Sequence, residues 1–378
     1  MAAPSMALNE EARAMRVEAI TDPAALALGL GGKAGLKLSE FMAMRGADAA
    51  VVHKMALSPS DVHVPYIMDT FSVDYFEQDL SKYLIADKTL PWVKVNHAQD
   101  LFVVWSRRDI NRVVDAGVSP LAMPAEVPQT FTDTQYTVKP YALRMPIPQD
   151  VIINEDAVLN ILQRASNVLR MNIELSREYR VANTLMTAAN YASGNVITLA
   201  GLNQWDAAGG GSSDPINDIL RAKRFMAMQP DMAGCSRPVF DALSKNRNVV
   251  SSVAAVSPTM FTDQRIVRPA QLAALLEIGA IHVGEAKYDT TPNASTAAYD
   301  YVWGKGFGLW KQRPGASVNE LAFGKTFRHY PLTFSSVFDP RVGMGGATHL
   351  KVAHSDIEQI TASDAGALID QAVSTTIT

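Results

Sequence analysis

Between Asn154 and Asn190 the chain contains no glycine and no proline, and apolar residues return at helical spacing: Val158, Leu162, Ala165, Leu169, Ile173, Tyr179, Ala182 and Leu185 or Met186. The pattern predicts one helix, about 50 Å long at about 1.5 Å per residue. Asn154 is placed to cap its first turn, Glu155 and Asp156 sit where the helix dipole favours negative charge, and Gly194 lies past its end. Arg164, Asn167, Arg170, Glu174, Arg177 and Glu178 fall on the opposite, charged face. The helix therefore reads as a strut with one face on a sheet.

The remaining pattern is arranged around that strut. Residues 1–58 read as an N-terminal arm, with short amphipathic helices at Glu10–Ile20 and Leu36–Met44 separated by a glycine-rich break at Gly29–Gly35. In 59–93, assigned with the strut's domain, aromatic and β-branched residues from Asp61 to Ala86 predict extended chain. In 94–147 the pattern predicts a long hairpin: Trp92–Val95 with Leu101–Arg107 form one arm and Gln135–Ile147 the other, around a tip crowded with prolines. A two-stranded ribbon is barely stable by itself, so its surface is expected to be completed by another subunit. The strut's domain continues over 148–220, with a strand at Val196–Ala200 and a helix opened by Asp214 and Pro215. An α/β domain follows at 221–322, with helices at Val239–Lys245 and Pro269–Leu276, a strand at Ile281–Val283 and a strand at Tyr299–Leu309 interrupted by Gly304, Gly306 and Gly308. Residues 323–378 supply closing strands at Phe334–Phe338 and His349–Ala353, returning to the strut's domain, and a helix-compatible Ser363–Val373. The class is α+β.

Composition narrows what this scaffold can do. Of 378 residues, 48% are hydrophobic and 19% charged, the balance of an ordinary globular protein with a sizeable core. A net charge of −4 excludes bulk attraction to nucleic acid or an anionic membrane, so contact with DNA is expected to be weak and non-specific. One cysteine, Cys235, forms no internal disulfide and no cysteine metal cluster, and reads as a small buried hydrophobe. The apolar run Ala24–Leu30 follows acidic residues and is broken by glycines, unlike a secretory signal, and no apolar run reaches the roughly 18 residues of a membrane span. A soluble protein is expected.

Catalytic chemistry finds no foothold. The histidines at 53, 63, 97, 282, 329, 349 and 354 form no metal-spaced pair, and no G-x-S-x-G, C-x-x-C or EF-hand pattern occurs. Gly29–Gly35 has the wrong spacing for a phosphate loop, and Gly304, Gly306 and Gly308 lack the following helix of a dinucleotide site. No catalytic, cofactor or metal residue is assigned. Arg107, Arg108 and Arg112 with Asp109 form a small charged cluster on the hairpin, and with Lys139, Tyr141 and Arg144 on its second arm they are the candidate subunit-interface residues.

The order of elements, with the strings YALRMPIPQD (Tyr141–Asp150), GLNQWDAAG (Gly201–Gly209), SDPINDI (Ser213–Ile219), IHVGEAKYDT (Ile281–Thr290) and YVWGKGFGLW (Tyr301–Trp310), resembles the major capsid proteins of tailed bacteriophages, whose fold is named after the Hong Kong 97 phage. The resemblance covers nearly the whole chain. It implies an N-terminal arm, an extended hairpin loop, a peripheral domain with a spine helix and an axial domain. It also implies a structural protein of the virion, assembled in the bacterial host cytoplasm into hexamers and pentamers of an icosahedral shell around double-stranded DNA. A separate scaffold protein, a portal and decoration proteins are the partners implied; no cofactor is. Lys94 and Lys139 lie in the hairpin, but nothing selects them for the covalent cross-links that some members carry. An encapsulin-like nanocompartment with the same fold, and an α/β enzyme with an oligomerisation arm, are the alternatives.

Overall fold

The computed structural model describes residues 62–63, 83–120, 122–127, 132–154, 160–207, 213–256, 267–291, 298–313 and 317–375. They form a mixed α+β fold that divides into two compact units, one with residues 62–63, 145–154 and 334–350, the other with the rest. The arm helices expected at Glu10–Ile20 and Leu36–Met44, and most of the extended stretch from Asp61, lie outside the described residues.

In chain order the elements are β1 (Val62–His63), the single turn α1 (Ala86–Thr89), β2 (Trp92–Lys94), β3 (Gln99–Val104), the single turn α2 (Arg107–Ile110), β4 (Thr132–Thr137), β5 (Lys139–Pro148), α3 (Gln149–Ile153), the long α4 (Ile161–Met186) and β6 (Val196–Thr198). Then come α5 (Pro215–Phe225), β7 (Met232–Ser236), α6 (Arg237–Lys245), α7 (Arg247–Val256), α8 (Pro269–Leu275), β8 (Ala280–Gly284), β9 (Lys287–Asp289), β10 (Tyr299–Tyr301), β11 (Phe307–Trp310), β12 (Gly324–Asp339), β13 (Ala347–Ile360) and β14 (Gly366–Asp370).

The strut is present but starts later than its sequence pattern suggests. Asn154 ends α3, and Asn160, in the left-handed region at φ 34°, caps α4 by accepting a hydrogen bond from the Gln163 N–H. Its core stripe also differs. Arg177 is 2% exposed and Glu178 fully buried, while Tyr179, expected inside, is 40% exposed. The reason is phase: Ile173 to Tyr179 is six residues, about a third of a turn out of register at about 3.6 residues per turn, so the stripe from Ala165, Leu169 and Ile173 continues through Arg177, Val181 and Leu185.

The larger unit is built on a five-stranded sheet in the order β6-β14-β11-β7-β8. β11 runs antiparallel to both β14 and β7, while β6 and β8 run parallel to their neighbours. Strand alternation buries both faces. Phe307, Leu309, Ala367 and Ile369 pack with Val239, Phe240, Leu243 and Leu272 of the helices on one side, whereas Trp310 and Leu368 face Val181, Leu185, Tyr191 and Phe323 on the other. Cys235 on β7 is in the first of these cores, and burial pushes its thiol pKa up, as suits a small inert hydrophobe.

The glycine series near this sheet makes room and turns the chain. Gly304 has φ +58° in the turn before β11, and a Cβ on Gly308 would stand 2.1 Å from the Trp310 indole. The strand expected over Tyr299–Leu309, interrupted by Gly304, Gly306 and Gly308, is two strands, β10 and β11, separated by that turn. Ser363–Val373, expected to be helical, instead forms a short 3-10 turn and then β14 in the middle of the sheet. Gly366 packs against the Phe323 ring there, and the residues from Gly366 to Ile369 are all buried.

The hairpin is shorter than expected. β3 pairs antiparallel with β4 from Gln99↔Thr137 to Val104↔Thr132, whereas β2 runs parallel to β12 and β5 joins β13. Its base is anchored in its own chain: Phe102 and Tyr136 pack on Phe327, with ring centroids 5.4 and 4.7 Å away, in a cluster with Val95 and Val138. The closing strands are longer, 16 residues for β12 and 14 for β13, because buried polar residues such as Lys325, His354 and Asp356 hide their alternation. In the smaller unit β1 pairs antiparallel with the end of β12.

Candidate functional site

The long strands meet α4 at a buried cluster of charge. Side chains at i and i+3 on a helix share a face, so Arg177 and Arg180 point together toward β13, where His354, Asp356 and Glu358 alternate onto the same side of the strand. Arg180 Nη2 donates to Asp356 at 2.7 Å and its Nε to Glu358 at 3.2 Å. Arg177 is paired with Asp87 at 2.7 Å, with Glu174 at 3.8 Å and with Asp356 at 3.6 Å. Arg328 of β12 and His354 approach the same Asp356 carboxylate at 3.7 and 3.3 Å.

Electrostatics explain why such a cluster can sit in a core. Burial by itself would raise the Asp356 carboxyl pKa, but the hydrogen bond and charge of His354, then Arg180 and Arg177, hold it below the usual carboxylate value. Glu358 is raised instead, because burial dominates and the negative Asp356 opposes the pull of Arg180. Burial works against the Arg177 charge, yet Asp87, Glu174 and Asp356 raise its pKa all the same. Arg328 is lowered by burial and by Arg177 beside it. Desolvating each ion costs several kcal/mol, so the group persists only because every charge has partners. The arrangement ties α1, α4, β12 and β13 together.

A second buried carboxylate works the same way. Glu178 accepts the N–H groups of Ile85 and Ala86 at 2.9 and 2.8 Å and the Trp303 Nε1–H at 2.6 Å. One side chain thus fixes the entry of α1 and the turn before β11 on α4.

The expected interface residues are dispersed. Arg107 donates from its backbone to Asp364 at 3.1 Å, pairs with the same carboxylate through Nε at 3.4 Å and donates from Nη2 to the Phe225 carbonyl. Asp109 is the capping-box partner of Ser106, 2.6 Å from its hydroxyl. Arg108 on α2 and Arg112 just past it are exposed, and Lys139 and Arg144 are exposed on β5. Tyr141 is half-buried, with its ring 3.7 Å from the Arg180 guanidinium and 5.6 Å from His354. So Tyr141 is brought to the charged cluster and the others are not. Sequence reasoning missed the cluster of Arg177, Arg180, Arg328, His354, Asp356 and Glu358; Arg177, placed on the charged face of the helix, with Arg180 three residues on, was the available signal. Beyond Trp105 the described loop residues to 127 are almost all exposed, among them Val113, Val118, Met123 and Val127.

Among the described residues no group of three or more His, Cys, Asp or Glu side chains is placed to hold a metal, and no helix is long and apolar enough to cross a membrane. No family model matches the chain. It is 28% identical over 291 residues to a major capsid protein of Pseudomonas phage JBD67, a match that spans 77% of this chain and 92% of that protein. The chain resembles the tailed-phage major capsid proteins. A solved phage-related protein from Bordetella bronchiseptica RB50 shares the fold of this capsid-like chain, with a TM-score of 0.62 and 21% identity over 83% of this chain and 99% of the other.

Proposed function

We propose that the chain is the structural subunit of a phage head: copies assemble into hexamers and pentamers of an icosahedral shell that encloses double-stranded DNA. The observation that carries this reading is the similarity to a phage major capsid protein, which spans 77% of this chain and 92% of that protein. The absence of bulk positive charge is compatible with a container, since a net charge of −4 favours weak and non-specific contact with the packaged DNA.

In this reading residues 1–58 are the arm, 94–147 contain the extended loop, 148–220 with 59–93 and 323–378 make the peripheral domain, and 221–322 the axial domain. The described tip of the loop, exposed and apolar at Val113, Val118, Met123 and Val127, is the part that reaches a neighbouring subunit, with Arg108 and Arg112 in the loop and Lys139 and Arg144 on β5 as further contact residues. Scaffold, portal and decoration proteins are its partners, and assembly takes place in the bacterial host cytoplasm. The charged cluster keeps the long helix fixed while loops on the outside make contacts.

Sedimentation velocity and negative-stain microscopy of the purified chain, alone and co-expressed with a scaffold protein, test the proposal. Capsomers or closed shells are expected. A monodisperse monomer or dimer under both conditions contradicts it.

A further inference from the structure

The strand β5 ends the path of its sheet: β13 lies on one side of it, and no described strand lies on the other. An edge strand of ten residues offers a row of free N–H and C=O groups to any other extended chain. The hazard is greatest for a protein held at high local concentration among copies of itself.

Which groups face outward follows from two contacts. The Gln149 N–H, just past β5, donates to Gly346 O at 3.0 Å, just before β13. The Tyr141 ring lies 5.6 Å from His354. Both fit one antiparallel register, since eight residues back along β5 correspond to eight forward along β13. Odd-numbered residues of β5 therefore turn their backbone groups toward β13, and even-numbered residues turn theirs outward, because successive residues alternate. The outward set is Pro140, Ala142, Arg144, Pro146 and Pro148, all exposed.

Three of these five have no N–H to offer. Inward, each proline would remove a rung from the pairing with β13; outward, it removes only a rung that a foreign strand would have used. The remaining N–H groups, on Ala142 and Arg144, leave a short window. Arg144 places a positive charge in it, which two like edges would bring face to face.

We propose that Pro140, Pro146 and Pro148 guard the free edge of β5 against strand addition by a second copy, so that copies associate through side-chain surfaces rather than by extending this sheet. The consequence for assembly rests on the self-associating reading above; the orientation of the edge does not.

The test uses the full chain. Replacing the guards together (Pro140→Thr, Pro146→Val, Pro148→Thr) is expected to shift the sedimentation profile toward open, thioflavin-binding polymers at the expense of capsomers or shells. An unchanged profile overturns the proposal. A paired control reads orientation directly: Ala142→Pro, at an outward N–H, should leave the melting midpoint where it was, whereas Leu143→Pro, at an inward one, should lower it. Equal losses from the two would overturn the assignment even if the triple variant failed to fold. Polymers from the triple variant of a parent that forms no shells would leave the edge proposal standing and count against the shell reading alone.

Discussion

The Tyr141 ring lies 3.7 Å beneath the Arg180 guanidinium, so that β5 is tied to the long helix through a cation stacked on an aromatic face. Arg180 also pairs with Asp356 and Glu358, and Tyr141 covers a side of the cation that these carboxylates leave open. A contact of this kind contributes about 0.5–2 kcal/mol. It gives Tyr141 a role inside its own chain, where the sequence had suggested only a neighbour.

Asp356 is the centre of that cluster, and its loss should be costly. Asp356→Ala leaves Arg177, Arg180 and Arg328 without their shared partner, and breaking a buried ion pair costs about 3–5 kcal/mol. The pH dependence has a definite sign. The folded pKa lies below the ordinary value, so the stabilisation is complete above the unfolded pKa and is lost as pH falls through the folded one. Urea midpoints taken from about pH 5 to about pH 2 should fall more steeply for the parent than for Asp356→Asn. Parallel profiles would show that Asp356 is not held ionised by its partners.

Glu178→Ala should be still more damaging, because it strands three buried donors, the Ile85 and Ala86 N–H groups and the Trp303 indole N–H. At about 1–3 kcal/mol for each unsatisfied group, the loss is comparable with a typical folding margin of about 5–15 kcal/mol. Glu178→Gln retains an acceptor oxygen and should lose less. Thermal melts of the soluble fractions rank the three proteins; equal midpoints would mean that solvent replaces the carboxylate.

The start of the long helix can be located by its cap. Asn160→Ala removes the hydrogen bond to Gln163 and puts alanine at φ 34°, so a loss of about 1 kcal/mol or more is expected, with Asn160→Gly close to neutral. Asn154→Ala should leave the midpoint nearly unchanged if it is not the cap of this helix. Further along, Leu169→Pro removes a hydrogen bond in the middle of the buried stripe and costs about 3 kcal/mol or more, which should abolish soluble expression. Normal particles from that variant would rule out a continuous helix there.

The hairpin separates folding from assembly. Replacing residues 108–131 with a short Gly/Ser turn leaves Phe102 and Tyr136 on Phe327, so a soluble chain with a cooperative melt but no closed shells is expected. Phe102→Ala opens the anchor itself and should cost about 3–5 kcal/mol, as for other buried aromatic truncations. Intact shells from the shortened chain would show that the loop contributes little between subunits.

Where the pattern along the chain was strong, it settled the local structure. The long helix, the Asp214–Pro215 helix start and the strand at Ile281–Val283 follow from periodicity, capping chemistry and β-branching, which act within a few residues. Only tertiary structure decided which polar residues are inside. Arg177 and Glu178 look like a solvated face until Asp87, Asp356, Ile85 and Trp303 arrive from distant parts of the chain to satisfy them. Ser363–Val373 looks helical until the place between β6 and β11 is open for a strand buried on both faces, since a short apolar run fits either state by itself. Buried charge and a doubly covered strand are stable only in the company of residues far away in sequence, and no local pattern records that company.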